Sequence, residues 1–328
     1  MKRKLVYIGF AFMHHKGNHA GYHHVKEYVN YDYVIDTQEY FEYSQSLSVI
    51  KKILSRFLRV YYFMKCSLLA LFKGNLTFHF VYGENNFEPF PFMHFRNCKV
   101  VVTFHQPFSW FKDRATWFSR LKKIDEIILV GNSELQLFRD VTQKDNVHFI
   151  PHGICTDFYS PQNVTKKDMV LMVGTWLRNF NFASKVFTKL EKISPYTEVV
   201  VVTNPMNKHY FETNKNVKVL SGITDYELCD LYRKSSCLFL PLLRFTANNA
   251  LLEAASVGCN ILIATDFADN SYMPVEYLSI CPVNEDAVIS KMIDIMQMNV
   301  NIKISEYVKE KYSWPVVAKE LEQFLLKY

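Results

Sequence analysis

A few short stretches of this 328-residue chain gather residue types that could do chemistry. One is M-H-H-K-G-N-H-A-G-Y-H-H-V, Met13–Val25, which holds His14, His15, His19, His23 and His24. Imidazoles this dense could bind a metal. Against that, Gly17 and Gly21 break any helix that would show His14, His15 and His19 on one face, and no Asp, Glu or Cys lies between Met1 and Val25 to complete a site. The alternative is a loop that admits an anion, because Ala20 and Gly21 let backbone amides come close to it. On that reading His19 faces the ligand, while His23 and His24 sit on the surface of the following helix. Tyr22, Val25 and Val29 give that helix its apolar face.

A second stretch is L-F-L-P-L-L-R-F-T-A-N-N-A-L-L-E-A-A-S-V-G-C-N-I-L-I-A, Leu238–Ala264. An apolar strand ends at Pro241, a polar turn T-A-N-N follows, and a helix begins near Ala250 and ends at Gly258. Asn248 or Asn249 would cap it. A helix N-terminus at the carboxyl end of a strand offers free N–H groups to an anion such as a diphosphate. Glu253 lies one turn in. It could accept two hydrogen bonds from a ribose diol, or it could be a surface glutamate favoured by the helix dipole.

The elements that must position these groups follow from hydrophobic patterning. Strand-length apolar runs at Leu5–Phe10, Leu76–Phe80, Val100–Phe104 and Glu126–Val130 alternate with helical patterns. The alternation resumes at Val170–Val173, Glu198–Thr203, Val217–Leu220, Cys237–Leu240 and Asn260–Ala264. Unbroken β-branched and aromatic runs suit strands covered on both faces, so the pattern predicts parallel α/β sheets twice over. Phe149–Asp168, with two prolines and a polar tail, reads as the linker. A last helix carries Val317, Leu321, Phe324 and Leu325 at helical spacing.

Composition narrows the function classes. Hydrophobic residues make up 49% and charged residues 21%, enough for packed cores and too ordered for a disordered chain. The net charge of +6 suits nucleotides or an anionic membrane surface, and no basic block or motif points to nucleic acid. Seven scattered cysteines without a C-x-x-C read as reduced thiols in the cytoplasm. The apolar start reads as a buried strand, not as a signal peptide. Val60–Phe72 is too short to span a bilayer. It is a core helix or a membrane-facing one, with Arg56, Arg59, Lys65 and Lys73 around it. The G-x-G-x-x-G fingerprint, a P-loop, H-E-x-x-H and G-x-S-x-G are all absent, which argues against a nicotinamide enzyme.

L-P-L-L-R-F-T-A-N-N-A-L-L-E-A-A-S-V-G resembles the donor-site segment of retaining GT-B glycosyltransferases of the family-4 type (glycosyl transferases group 1). F-I-P-H-G-I-C-T-D-F-Y, V-L-M-V-G-T-W-L-R-N-F, V-K-V-L-S-G-I-T-D-Y-E-L-C-D-L-Y, V-T-F-H-Q-P, V-G-N-S-E-L-Q and Y-S-W-P-V-V-A-K-E-L resemble further landmarks of that family, in its order. The resemblance implies an α/β GT-B fold: two Rossmann-like domains with parallel sheets facing a central cleft. It implies an acceptor-side domain over 1–162, a nucleotide-sugar donor domain over 163–308, and a helix over 309–328 crossing back to the first domain.

Residue by residue, Glu253 matches the second glutamate of the family's E-x7-E motif, which holds the ribose. The first glutamate would fall at Phe245. Thr246, Ala247, Asn248 and Asn249 match the turn that approaches sugar and diphosphate. Gly174 and Thr175 match the phosphate loop, where Arg178 is the cation that suits two phosphate oxygens, unless it simply faces solvent. Lys185 is a weaker second. Gly222 and Ile223 match the backbone beside the base. His105 matches the strand-end histidine near the donor sugar, Gly21 the glycine loop near the phosphates, and His19 and Tyr22 its acceptor side.

The implied reaction moves a sugar from a nucleotide-sugar donor to the hydroxyl of a glycan or lipid-linked acceptor, with retention at the anomeric carbon. Glu253, Arg178 and His105 are the catalytic candidates. No cofactor and no metal are expected, protein cations and amides taking the metal's place. The expected location is the cytoplasm, at the inner face of the cell membrane. A GT-B sugar-nucleotide epimerase or phosphorylase, and a non-catalytic glycan- or nucleotide-binding protein, stand as alternatives.

Overall fold

The computed structural model describes residues 3–12, 19–88, 95, 97–244, 247–267 and 272–327. Two parallel sheets of six strands organise them. In the first, β1 (Lys4–Gly9), β2 (Tyr33–Asp36), β3 (Leu76–Phe80), β4 (Lys99–Phe104), β5 (Glu126–Leu129) and β6 (Val147–Phe149) are ordered β2-β1-β3-β4-β5-β6. In the second, β7 (Lys167–Val173), β8 (Glu198–Val202), β9 (Val217–Leu220), β10 (Ser235–Pro241), β11 (Ile261–Ala264) and β12 (Ser279–Cys281) are ordered β12-β11-β10-β7-β8-β9. Counted from its own first strand, the second order is the 3-2-1-4-5-6 of doubly wound nucleotide-binding folds. Its strand order reverses between β7 and β10.

Apolar runs explain the central strands. Every residue of β3 and β10 is buried. Successive residues face opposite cores. Leu171, Leu238 and Leu240 join one cluster of the second unit, and Val170, Met172 and Phe239 join the other. Two polar side chains inside the first sheet show how burial is satisfied. Thr77 Oγ1 donates to the Leu325 carbonyl at 3.1 Å, and His79 bridges Tyr31 Oη at 2.6 Å and Thr103 Oγ1 at 2.8 Å. Helices of the second unit start on side-chain caps. Asn179, Asn248, Asn284 and Asn301 each accept a backbone N–H, and Thr224 with Glu227 forms a capping box.

The patterning missed β2, β6 and β12. Each is short and lies at a sheet edge, so none has the doubly buried run that marks an interior strand. The segment Val60–Phe72 is part of a longer helix, Val49–Lys73, which buries only Ser55, Cys66 and Ala70; the core-helix alternative describes one narrow face of it. Among the described residues, no helix is long and apolar enough to cross a membrane. His23 and His24, expected on a helix surface, are both buried.

Contacts divide the chain into two compact units. One comprises Met1–Lys16, Gly21–Gly153 and Trp314–Tyr328, the other Gly17–Ala20 and Ile154–Ser313. The final helix, Trp314–Lys327, belongs to the first unit, where Trp314 is buried and Asn30 Nδ2 donates to Glu322. Where the chain passes into and out of the second unit, Ile154 N donates to the Tyr312 carbonyl at 2.8 Å.

Gly153 faces the Trp314 ring so closely that a Cβ there would lie 2.2 Å from Cε3. Gly153→Ala should therefore destabilise the protein by about 1–3 kcal/mol through overpacking. A urea unfolding midpoint equal to the parent's would refute this.

Candidate active site

Gly174, Arg178 and Asn248 meet where the second unit's strand order reverses, with Glu253 one turn along the helix that Asn248 caps. All the strands are parallel, so the loops after β7, β8, β9 and β10 emerge on one edge. After β7 the chain turns at Gly174, whose φ of +117° suits glycine alone. A Cβ there would lie 2.6 Å from Arg178 Nη2, so the guanidinium folds directly over the glycine. Arg178 Nε donates to the Val173 carbonyl at 3.0 Å, Nη1 to the Trp176 carbonyl at 3.2 Å, and Nη2 to Asn248 Oδ1 at 3.2 Å. Arg178 is thus half-buried and turned back onto the β7–β10 junction.

Asn248 is the N-cap of the helix Asn249–Ser256, and its Oδ1 also accepts Leu251 N at 3.3 Å. Those two donors fix the amide orientation. They leave Asn248 Nδ2 buried without a hydrogen-bond partner. Desolvation lowers the Arg178 guanidinium to about 10, so it stays charged at neutral pH. Its hydrogen-bond acceptors are all uncharged groups. A half-buried cation beside an orphaned amide donor and a helix N-terminus is a site deficient in negative charge.

Glu253 lies one turn into that helix and is buried, not exposed at a dipole-favoured surface. Tyr232 Oη donates to its Oε2 at 2.8 Å. The Tyr159 hydroxyl lies close by but makes no hydrogen bond of acceptable geometry. Burial pushes the Glu253 carboxyl up to about 7; the Tyr232 bond offsets part of this and Asp225 adds to it. Gly222, at φ +66°, has open space where a Cβ would be, and Ile223 follows it before the Thr224 cap. Thr175 Oγ1 accepts Asn204 N at 3.2 Å and meets Thr203 Oγ1 at 3.4 Å. Ala247 packs against the core beside Asn248, and Asn249 opens the helix. His19 belongs to this unit: its ring stacks on Phe158 at 3.7 Å and its backbone N–H donates to Asp225 Oδ2 at 3.2 Å. Lys185 lies within the helix Phe180–Ile193, away from these bonds. Thr246, Phe245, His14 and His15 lie outside the described residues.

The first unit holds a separate set. His105 follows β4, and its Nε2–H donates to the Val81 carbonyl at 2.8 Å, which places the lone pair on Nδ1. Burial lowers it to about 3, so the imidazole is neutral. Tyr22 is buried and presents ring edges to His105, His152 and Trp314 at 4.8, 5.3 and 5.6 Å. Gly21, at φ +102°, starts the turn that carries Tyr22. Among the described residues, no cluster of three or more His, Cys, Asp or Glu could hold a metal.

Several participants escaped the sequence. Tyr232 binds Glu253 from another helix. Glu84, buried and pushed up to about 7, accepts His105 N at 3.4 Å. His152 sits in the P-H-G motif but gains meaning only from the Tyr22 and Trp314 rings. Of these, only His152 carried a visible signal.

The Glu253 shift has a testable sign. Between about 4.5 and 7 the unfolded chain has released a proton that the folded chain keeps, so this group lowers stability as pH rises through that window. Glu253→Gln should be more stable than the parent near pH 8 by on the order of 1–3 kcal/mol, with the difference vanishing near pH 4. A pH-independent difference in chemical denaturation would sink the idea.

No family model matches the sequence, and no curated protein matches it. Solved structures do. A sucrose-phosphate synthase from Thermosynechococcus elongatus superposes with a TM-score of 0.74 at 10% identity, covering 99% of each chain. An alpha,alpha-trehalose 6-phosphate synthase from Burkholderia multivorans gives 0.64 at 10% identity, over 100% of this chain and 98% of its own. A mutant of TarM from S. aureus, in complex with fondaparinux, alpha-GlcNAc-glycerol and UDP, gives 0.65 at 13% identity, over 83% of this chain and 58% of its own. The likeness is one of fold, and that fold is the GT-B architecture of two Rossmann-like domains which the ordered motifs imply.

Proposed function

We propose that the protein transfers a sugar from a nucleotide-sugar donor to a hydroxyl of a glycan or lipid-linked acceptor, with retention at the anomeric carbon. The observation that carries this reading is the convergence, at the β7–β10 switch point, of Arg178, the unpartnered Asn248 amide, the helix N-terminus at Asn249 and the buried Glu253. A diphosphate answers the charge deficit there, and a ribose diol one turn away answers Glu253. The UDP bound in the TarM crystals is a ligand of this chemical type.

The work of the site is positioning and charge stabilisation. As the bond from sugar to diphosphate breaks, negative charge grows on the leaving oxygens. Arg178 and the N–H groups at Asn249 are proposed to meet it with donors already in place. Gly174, Thr175 and Ala247 would bring main chain close to the phosphates and sugar, with Gly222 and Ile223 beside the base. We assign neutral His105 to the sugar, with Tyr22 behind it. Gly21 is assigned to the phosphate-facing turn, and His19 to the acceptor or the diphosphate. No metal or cofactor is required, since protein cations and amides supply the stabilisation. The seven free cysteines suit a reducing compartment, so we place the protein in the cytoplasm. Phe245 at the usual first-glutamate position favours one second reading, a nucleotide-binding protein without turnover.

A panel of UDP-, GDP- and ADP-sugars, followed by thermal stabilisation and diphosphate release, distinguishes the two. Glu253→Ala should lower turnover on the order of 10–100-fold, and Arg178→Ala should weaken both binding and turnover. A folded Glu253→Ala protein with parental transfer kinetics would overturn the assignment. Binding of a nucleoside diphosphate without turnover of any donor would favour the second reading. His19→Ala should slow transfer and leave metal content unchanged; an altered metal content would return the histidine cluster to metal chemistry.

A further inference from the structure

The helix Val49–Lys73 is amphipathic in an unusual sense: its apolar face points outward. Eleven of its large apolar side chains are exposed, with Ile50, Phe57 and Phe72 at 71%, 68% and 70%. At 3.6 residues per turn these eleven fall within an arc of about 140°, and that arc is the side turned away from the core. Lys52 and Arg56 border it on one side and Lys65 on the other. The helix carries six Lys or Arg residues and no Asp or Glu along its length. Of the six, Arg59 faces Glu88 at 3.7 Å. The neighbouring helix Gln38–Ser44 brings Glu39 and Glu42, and Gln38 Nε2 donates to the Glu42 carboxylate.

Beside the helix, a cavity of about 370 Å³ opens against the edge strand β2. Val34, Leu68, Leu69 and Phe72 line it together with Lys65 and Lys73. Apolar walls with two ammonium groups fit an amphiphile that has a hydrocarbon part and an anionic head.

We propose that this face docks on an anionic lipid surface. The helix lies in the interfacial plane, its apolar arc enters the acyl boundary, the flanking Lys and Arg heads reach lipid phosphates, and the cavity accepts part of one acyl chain. The geometry is that of an interfacial helix, whose binding combines apolar burial with attraction to anionic lipid. A second copy of the chain fits poorly. Pairing two such helices would align their basic borders with no acidic residue on either helix to answer them.

The test uses the full chain and contains no sugar nucleotide, so its outcome is independent of the transfer reading. Co-sedimentation is measured with vesicles of equimolar phosphatidylcholine and phosphatidylglycerol, and with phosphatidylcholine alone. The parent should bind the anionic vesicles at least about tenfold more tightly than the neutral ones, and added salt should weaken that binding. The double variant Phe57→Glu with Met64→Glu, at exposed positions, should keep its melting temperature and lose the binding. Lys65→Ala with Lys73→Ala should reduce it and flatten the salt dependence. A parent that stays in the supernatant with anionic vesicles overturns the proposal, as does equal binding by parent and Phe57→Glu/Met64→Glu. A parent dimer in ultracentrifugation that this variant dissociates, without vesicle binding, would assign the face to a second copy.

Discussion

The guanidinium of Arg178 is the constraint on which the second unit's switch-point edge depends. One side chain ties the end of β7, the turn after it and the cap of the helix after β10, through three hydrogen bonds to uncharged acceptors. Gly174 must be glycine for this to happen, both for its positive φ and because the guanidinium occupies the space of a side chain. A charge drawn out of water needs compensation, and neutral acceptors supply only part of it. The shortfall is local and oriented, because Asn248 adds a buried donor of its own and the helix N-terminus adds the positive end of a dipole. The strand order of the sheet places all of this at the point where β7 and β10 diverge.

Burial gives the carboxylates and histidines near these edges their character. Glu253 and Glu84 are both held at about 7 by desolvation, and His105 and His152 are held neutral by it. The two carboxyls, which would be ionised in water at neutral pH, are therefore near balance here, and the two imidazoles resist protonation well below neutral pH. A ligand that brings hydroxyl donors to Glu253 would favour its ionised form, so binding and proton release at that residue are linked.

The interior of the fold was legible because its strands are covered on both faces. Runs such as the valines of β8 and the Leu238–Leu240 segment can be little else. The edge strands β2, β6 and β12 were not legible, since a short strand with one exposed side has the composition of a loop. At the site, the positions of Glu253, Asn248 and Arg178 could be read from motif order, but their environments could not. Nothing near Glu253 in sequence announces Tyr232, and nothing near His105 announces Glu84, because those partners arrive from other elements. His23 and His24 failed for the same reason. Local pattern put them on a surface, and packing against distant groups buried them.

The crossing at Ile154 and Tyr312 has a consequence for the order of folding. The second unit's long segment runs from Ile154 to Ser313, and its two ends are hydrogen-bonded to each other, so it can close upon itself while the chain is still being made. The first unit has no such option. Thr77 in its central strand β3 waits for the Leu325 carbonyl, and Gly153 waits for the ring of Trp314. During synthesis the part of the earlier-made sheet that the helix Trp314–Lys327 contacts therefore stays open until that helix has been made. Sheets that wait for a later-made partner are where chains of this size are prone to misassembly.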